Sequence, residues 1–188
     1  MRGHSIKAPG RGISLEAYRF ALLKTVAVFG LALATALSAH VRLPLPFTPV
    51  PLTLQTFFVL LSGALLGAGA GAASQVGALG LLLASPQLLA ASAPGGLLGP
   101  TGGYLLSFVP AAWLVGHLSG KEGSWARMLA AMVAATLMIY FFGVLQLGLV
   151  AGLSAGAALK AGVLPFVPAD VLKLAAAAVC ARTIKKGK

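Results

Sequence analysis

Residues 59–68 read VLLSGALLGA. Apolar and small residues follow one another here without the alternation of a membrane β-barrel strand, in which lipid-facing and lumen-facing side chains take turns over about ten residues. A helix needs no such alternation. The rest of the chain has the same character, since 59% of its 188 residues are hydrophobic and 9% are charged, against about a quarter charged in an ordinary soluble domain. The sequence therefore reads as an all-α integral membrane protein. With lipid outside, backbone polar groups must be satisfied internally, so a spanning segment has to be helical wherever protein does not shelter it.

A helix needs about 20 apolar residues to cross a bilayer. Working outward from 59–68, Gly, Pro and charged positions divide the chain into six candidate transmembrane helices, near 17–39, 52–69, 70–91, 101–119, 125–152 and 168–184. The second is short, Pro86 interrupts the third, and Pro110 is expected to kink the fourth. The organisation expected is a basic tail over 1–16, a transmembrane domain over 17–184 and a basic end over 185–188. That leaves no room for a soluble catalytic or nucleotide-binding domain.

The formal net charge of +11 invites a nucleic-acid reading, but the basic residues lie at bundle ends and form no face interleaved with aromatics. Arg2, Lys7, Arg11, Lys121, Arg127, Arg182, Lys185, Lys186 and Lys188 fall on one side of a six-helix count, and Arg42 and Lys160 on the other. The excess of basic residues predicts that both termini are cytoplasmic, in contact with anionic lipid headgroups and with no nucleic-acid partner. The segments 40–51, 92–100 and 153–167 then lie on the outer side. The opening MRGHSIKAPGRGISLEAYRF lacks the apolar core and cleavage site of a secretory signal and reads as a cytoplasmic tail. Cys180 stands alone, which excludes an internal disulfide and a Cys-based metal site.

Two short motifs invite catalytic readings. GLSAG at 152–156 fits a hydrolase elbow but lacks the strand that precedes one; glycines at 148, 152 and 156 instead have the four-residue spacing of close helix packing. GAGAGAAS at 67–74 approximates a dinucleotide loop without its sheet, and reads as a tight connection between helices. Ala32 and Ala36, also four apart, fit contact either with a neighbouring helix of the chain or with another membrane subunit.

PADVLKL at 168–174 holds the one carboxylate near the outer half of the bundle. Charge inside a membrane segment costs at least about 2.5–3.5 kcal/mol per residue at the centre, so it faces the interior, pairs, and marks a site. Asp170 and Lys173 are spaced to share a helix face. The plainer alternative is that Asp170 caps the last helix beside Pro168, though a cap leaves a lysine one turn deeper unexplained. Irregular outer segments above one ion pair describe a pocket for a small polar solute.

LPLPFTPVPLTLQTFFVLLSGALLG at 43–67, GPTGGYLLSF at 99–108 and PADVLKLAAAA at 168–178 together resemble the three signature stretches of the BioY family. These are the biotin-specific substrate-binding S components of energy-coupling-factor vitamin transporters. The resemblance spans nearly the whole chain. It implies six helices in the cell membrane, biotin captured at the outer face, and coupling to a transmembrane subunit and two ATPase subunits. ATP would be used by those partners, with no cofactor in this chain and no catalytic role for it. Asp170 and Lys173 carry over as biotin-site residues, and Ala32 and Ala36 as the face docking the transmembrane subunit. Monomer, homo-oligomer and partner-dependent assembly are all compatible with the sequence. The chain departs from the family at His40, at Gly77 or Ala78, and in ASPQLLA at 84–90, which bears on the third-helix wall of the pocket.

Biotin offers two ureido N–H donors, a ureido carbonyl, an apolar thiophane ring and a carboxylate on a flexible chain. Asp170 supplies acceptors and Lys173 donors. The expected arrangement has Asp170 accepting from the ureido N–H and Lys173 donating to the ureido oxygen, or alternatively to the carboxylate. Phe47 and Tyr104 are the aromatic candidates for the thiophane. Gln55 and Thr101 are candidates for further hydrogen bonds, Thr101 from a glycine-rich lid or floor. An S component for another vitamin, an intramembrane enzyme and a structural adaptor are the alternatives. The histidines outside the N-terminal tail, His40 and His117, are poorly placed for catalysis, and an adaptor would not need the ion pair.

Overall fold

The computed structural model describes residues 15–120 and 124–187. Most of the N-terminal tail expected over 1–16 lies outside them, with Lys121, Glu122 and Lys188. The described chain is helical: α1 (Leu15–Leu37), α2 (Gln55–Leu66), α3 (Ala68–Ala84), α4 (Pro86–Ser92), α5 (Gly102–Ser119), α6 (Trp125–Ala151), α7 (Ala155–Gly162) and α8 (Val167–Lys186). A turn of 3-10 helix follows α1 at Ser38–His40, and β1 (Arg42–Leu43) pairs antiparallel with β2 (Leu52–Thr53). The sequence read that stretch as irregular. Prolines at 44, 46, 49 and 51, each without an N–H to donate, fit a hairpin this short.

Local chemistry sets the helix ends. Ser85, Ser124 and Ser154 are N-caps whose hydroxyls accept from Leu88, Arg127 and Ala157 N–H groups. Pro86 follows the Ser85 cap, and α3 and α4 meet there at 114°, as its position predicted. Pro110 lies within α5 without breaking it. Gly67 alone makes the connection read over 67–74: at φ +80 it ends α2, and α3 begins at once. Ser154 is a helix cap and Gly152 a left-handed C-cap at φ +64, so GLSAG is a helix-to-helix turn. Of the glycines at 148, 152 and 156, only Gly148 has a neighbour within 4 Å of where a Cβ would stand, in Leu153 and Ala158.

Among the described residues, only α1, with the 3-10 turn, and α6 are long and apolar enough by themselves to cross a membrane; the bent pairs α3–α4 and α7–α8 pass together. At 12 residues, α2 rises about 18 Å, short of the roughly 30 Å hydrocarbon layer. The outside of the bundle is apolar, with Phe20, Phe29, Phe141 and Leu172 all more than 60% exposed. Lipid is as apolar as these side chains, so association between spanning helices relies on close contact and small residues.

Central to the packing is α5, which lies against α2, α3 and α6. Ala111, Ala112 and Val115 are fully buried on it. A Cβ on Gly63 would strike the Ala112 carbonyl, and one on Gly116 the backbone at Gly67 and Ala68. Ala32 and Ala36 are also interior, at 2% and 0% exposure, with Ala32 facing Gly77 of α3. Their small side chains serve packing of α1 within the chain. Gly116→Ala should therefore lower stability by about 1–3 kcal/mol. Gly80→Ala, with nothing within 4 Å, should be neutral or slightly stabilising. Thermal unfolding of the detergent-purified variants tests the contrast.

Candidate functional site

α8 begins at Val167 with Pro168 in its first turn, which places Asp170 inside the bundle one turn below the helix start. Asp170 is 7% exposed. Its Oδ1 accepts from Lys173 Nζ at 2.6 Å and Thr56 Oγ1 at 3.3 Å, and its Oδ2 from the Tyr140 hydroxyl at 2.6 Å. Lys173 Nζ also donates to Thr56 Oγ1 at 3.1 Å. The partners come from α2, α6 and α8, and no capping bond from the carboxylate to the backbone is present. Asp170 thus makes no capping hydrogen bond, although it stands in the first turn of α8, where the helix dipole favours a carboxylate.

This cluster lies beside a narrow cavity of about 50 Å³, whose lining also includes Gln55, Ser92, Thr101, Tyr104 and Phe166. All three expected outer segments reach it, through Val50 and Pro51, through Ser92, and through Phe166. Gln55 accepts from Thr53 Oγ1 at 3.2 Å and donates to Ser92 Oγ at 2.6 Å. The Tyr104 hydroxyl donates to the Gly162 carbonyl at 2.8 Å. Thr101 is 2% exposed, and its hydroxyl oxygen has no hydrogen-bond partner among the described residues. A buried, unpartnered hydroxyl on a cavity wall is uncommon in native proteins and is available to a ligand.

Of the residues singled out in the sequence, Asp170, Lys173, Tyr104, Thr101 and Gln55 meet at this cavity. Phe47 does not: it is 64% exposed on the β1–β2 connection and absent from the lining, as expected of a tip held outward by the prolines around it. The wall doubted at helix 3 is supplied instead by Ser92 of α4, beyond the Pro86 break, while Ala78 is packed at 1% exposure.

Tyr140, Thr56 and Gln146 were missed. Tyr140 lies mid-helix in the longest apolar segment, where a hydroxyl needs a partner, and that was the available signal. Gln146 on α6 gives its amide to the Leu97 and Gly99 carbonyls, both at 2.7 Å, and so ties down the loop that ends at Thr101. The glycines of this loop divide the work. Gly95 and Gly96 take positive φ, whereas Gly102 and Gly103 supply room, since Cβ atoms there would meet the Leu97 and Phe142 carbonyls.

Larger depressions of about 550 and 570 Å³ flank α6, but Leu, Val and Phe dominate their walls and no ion pair faces them. A site needs convergent polar groups, and these are at the narrow cavity.

The sequence matches the BioY family over residues 14–188. The biotin transporter BioY of Thermotoga maritima is 41% identical over 145 residues, covering 76% of this chain and 85% of that protein. That of Rhizobium etli is 34% identical, with 83% and 89% covered. The probable biotin transporter BioY of Pyrococcus horikoshii is 36% identical, with 87% and 98% covered. The crystal structure of the S-component for biotin from an ECF-type ABC transporter superposes with a TM-score of 0.80 at 22% identity, over 93% of this chain and 95% of that one.

Removing one member of a buried ion pair strands the other and typically costs about 3–5 kcal/mol. Lys173→Met should show such a loss of stability, and Lys173→Met combined with Asp170→Asn should recover most of it, measured by denaturation in detergent. Gln146→Leu should speed amide hydrogen exchange at residues 97–101 while leaving the protection of α2 and α8 unchanged. With a family match over residues 14–188 and relatives 34–41% identical along most of its length, the chain belongs to the BioY family.

Proposed function

We propose that this protein is the membrane-embedded biotin-binding component of an ECF-type uptake transporter. The observation that carries this reading is the buried Asp170–Lys173 pair, together with the unpartnered Thr101 hydroxyl at the same cavity. Asp170 Oδ2 has one partner, Tyr140, and a carboxylate oxygen accepts more than one bond. A ureido N–H has an acceptor there, and the Lys173 ammonium beside it is a donor for the ureido oxygen. Tyr104, Ile139 and Phe166 supply apolar wall for the thiophane.

The present cavity holds on the order of three to five waters by volume. Biotin is larger than a few waters, so its capture would involve adjustment of the segments that line the cavity.

The chain would cross the cell membrane six times, through α1, α2, α3 with α4, α5, α6 and α8, with α7 on the outer side and both termini cytoplasmic. Arg127, Arg182, Lys185 and Lys186 then lie on the inner side, in keeping with the positive-inside bias. Release of biotin inward would depend on a transmembrane subunit and two ATPase subunits that hydrolyse ATP. Family membership supports that assembly.

Titration of biotin into the detergent-purified protein tests the reading. Stoichiometric binding is expected, unaffected by other vitamins in excess. Asp170→Asn replaces an ionised acceptor with a mixed donor and acceptor and forfeits a charge-assisted bond of about 1.5–3 kcal/mol, so affinity should fall about tenfold to a hundredfold. Parent-like affinity in a well-folded Asp170→Asn, Lys173→Met double variant would remove the pair from the binding site.

A further inference from the structure

Resting on the biotin reading, we propose that Arg42 at the cavity mouth binds the ligand's carboxylate and selects the free acid over neutral amide conjugates. Lys173 lies deep in the site and is already engaged by Asp170 and Thr56. A head group seated on that pair directs its flexible chain away from it, towards the opening. A charged side chain next to the cavity lining, though not part of it, is Arg42. It stands opposite Thr53 in the β1–β2 register, and Thr53 lines the cavity. Its guanidinium reaches the carbonyls of Ala90 and Ala91, both at 3.4 Å, next to Ser92, which also lines the cavity.

Those two bonds are long for N–H···O contacts, and Arg42 is exposed, so little holds the guanidinium in place. A planar fork of donors is suited to a carboxylate, which it can grip with two parallel bonds. The same contacts also fit a plainer role. Ala90 and Ala91 are in the last turn of α4, where carbonyls lack helical partners and a cation is favourable. A capping arginine would support every ligand alike; a carboxylate receptor would support only ligands that carry one.

Biotin and biotinamide, identical except for carboxylate against carboxamide, separate the two roles. Both are titrated into the parent, Arg42→Gln and Arg42→Lys proteins in detergent. The parent should bind biotin at least about tenfold more tightly than biotinamide. Arg42→Gln, which keeps amide donors for the α4 carbonyls, should lose most of that preference by weakening for biotin alone. Arg42→Lys should retain part of it. Equal affinity of the parent for both compounds, or equal weakening for both in Arg42→Gln, would overturn the assignment and leave Arg42 as a helix cap. A parent that binds neither compound would instead sink the biotin reading, and this assignment with it.

Discussion

An ion pair in a membrane bundle has to be enclosed by groups that replace water, and the contact between Asp170 and Lys173 organises the structure on that account. Two charges one helical turn apart would be poorly accommodated against lipid. Here they are shielded by α2 and α6, whose Thr56 and Tyr140 hydroxyls complete the hydrogen bonding. The neighbourhood follows from this. α8 must present its first turn inward, α2 must begin at the depth where Thr56 reaches the pair, and α6 must pass close enough for Tyr140 to donate. The outer segments then close over what would otherwise be an open polar well.

Much of this was legible in the sequence, for a physical reason. Where apolar residues are the rule, a polar residue is informative, and Asp170, Lys173, Gln55 and Thr101 stood out against their surroundings. Helix positions were legible too, because Gly, Pro and Ser punctuate apolar runs; the break at Pro86 is an example. Burial by a neighbouring helix was harder to read. Ala32 and Ala36 have the spacing of any close helix contact, and spacing does not say which partner supplies the other side. Phe47 is ambiguous in the same way, since an aromatic residue among prolines fits a pocket wall and a solvent-facing tip equally well.

Residues that act across long sequence separations were the least legible. Gln146 lies 47 and 49 residues from the carbonyls it binds, and Tyr140 lies 30 from Asp170. Each is one polar group within an apolar helix, so the need for a partner could be read from the sequence but the partner itself could not. The same distance hides the work of two glycines of GPTGG: Gly102 makes room for the Leu97 carbonyl and Gly103 for the crossing of α5 and α6. Room for a neighbour becomes visible only when the neighbour is in place.

The central claim is that the buried pair holds the head group of the ligand, and a structure of the protein determined with biotin bound tests it most directly. The account predicts the ureido ring within hydrogen-bonding distance of the Asp170 carboxylate and the Lys173 ammonium, and the Thr101 hydroxyl partnered. Biotin seated elsewhere, for instance in the apolar depression between α6 and α7, with the Asp170–Lys173–Thr56 contacts undisturbed, would contradict it.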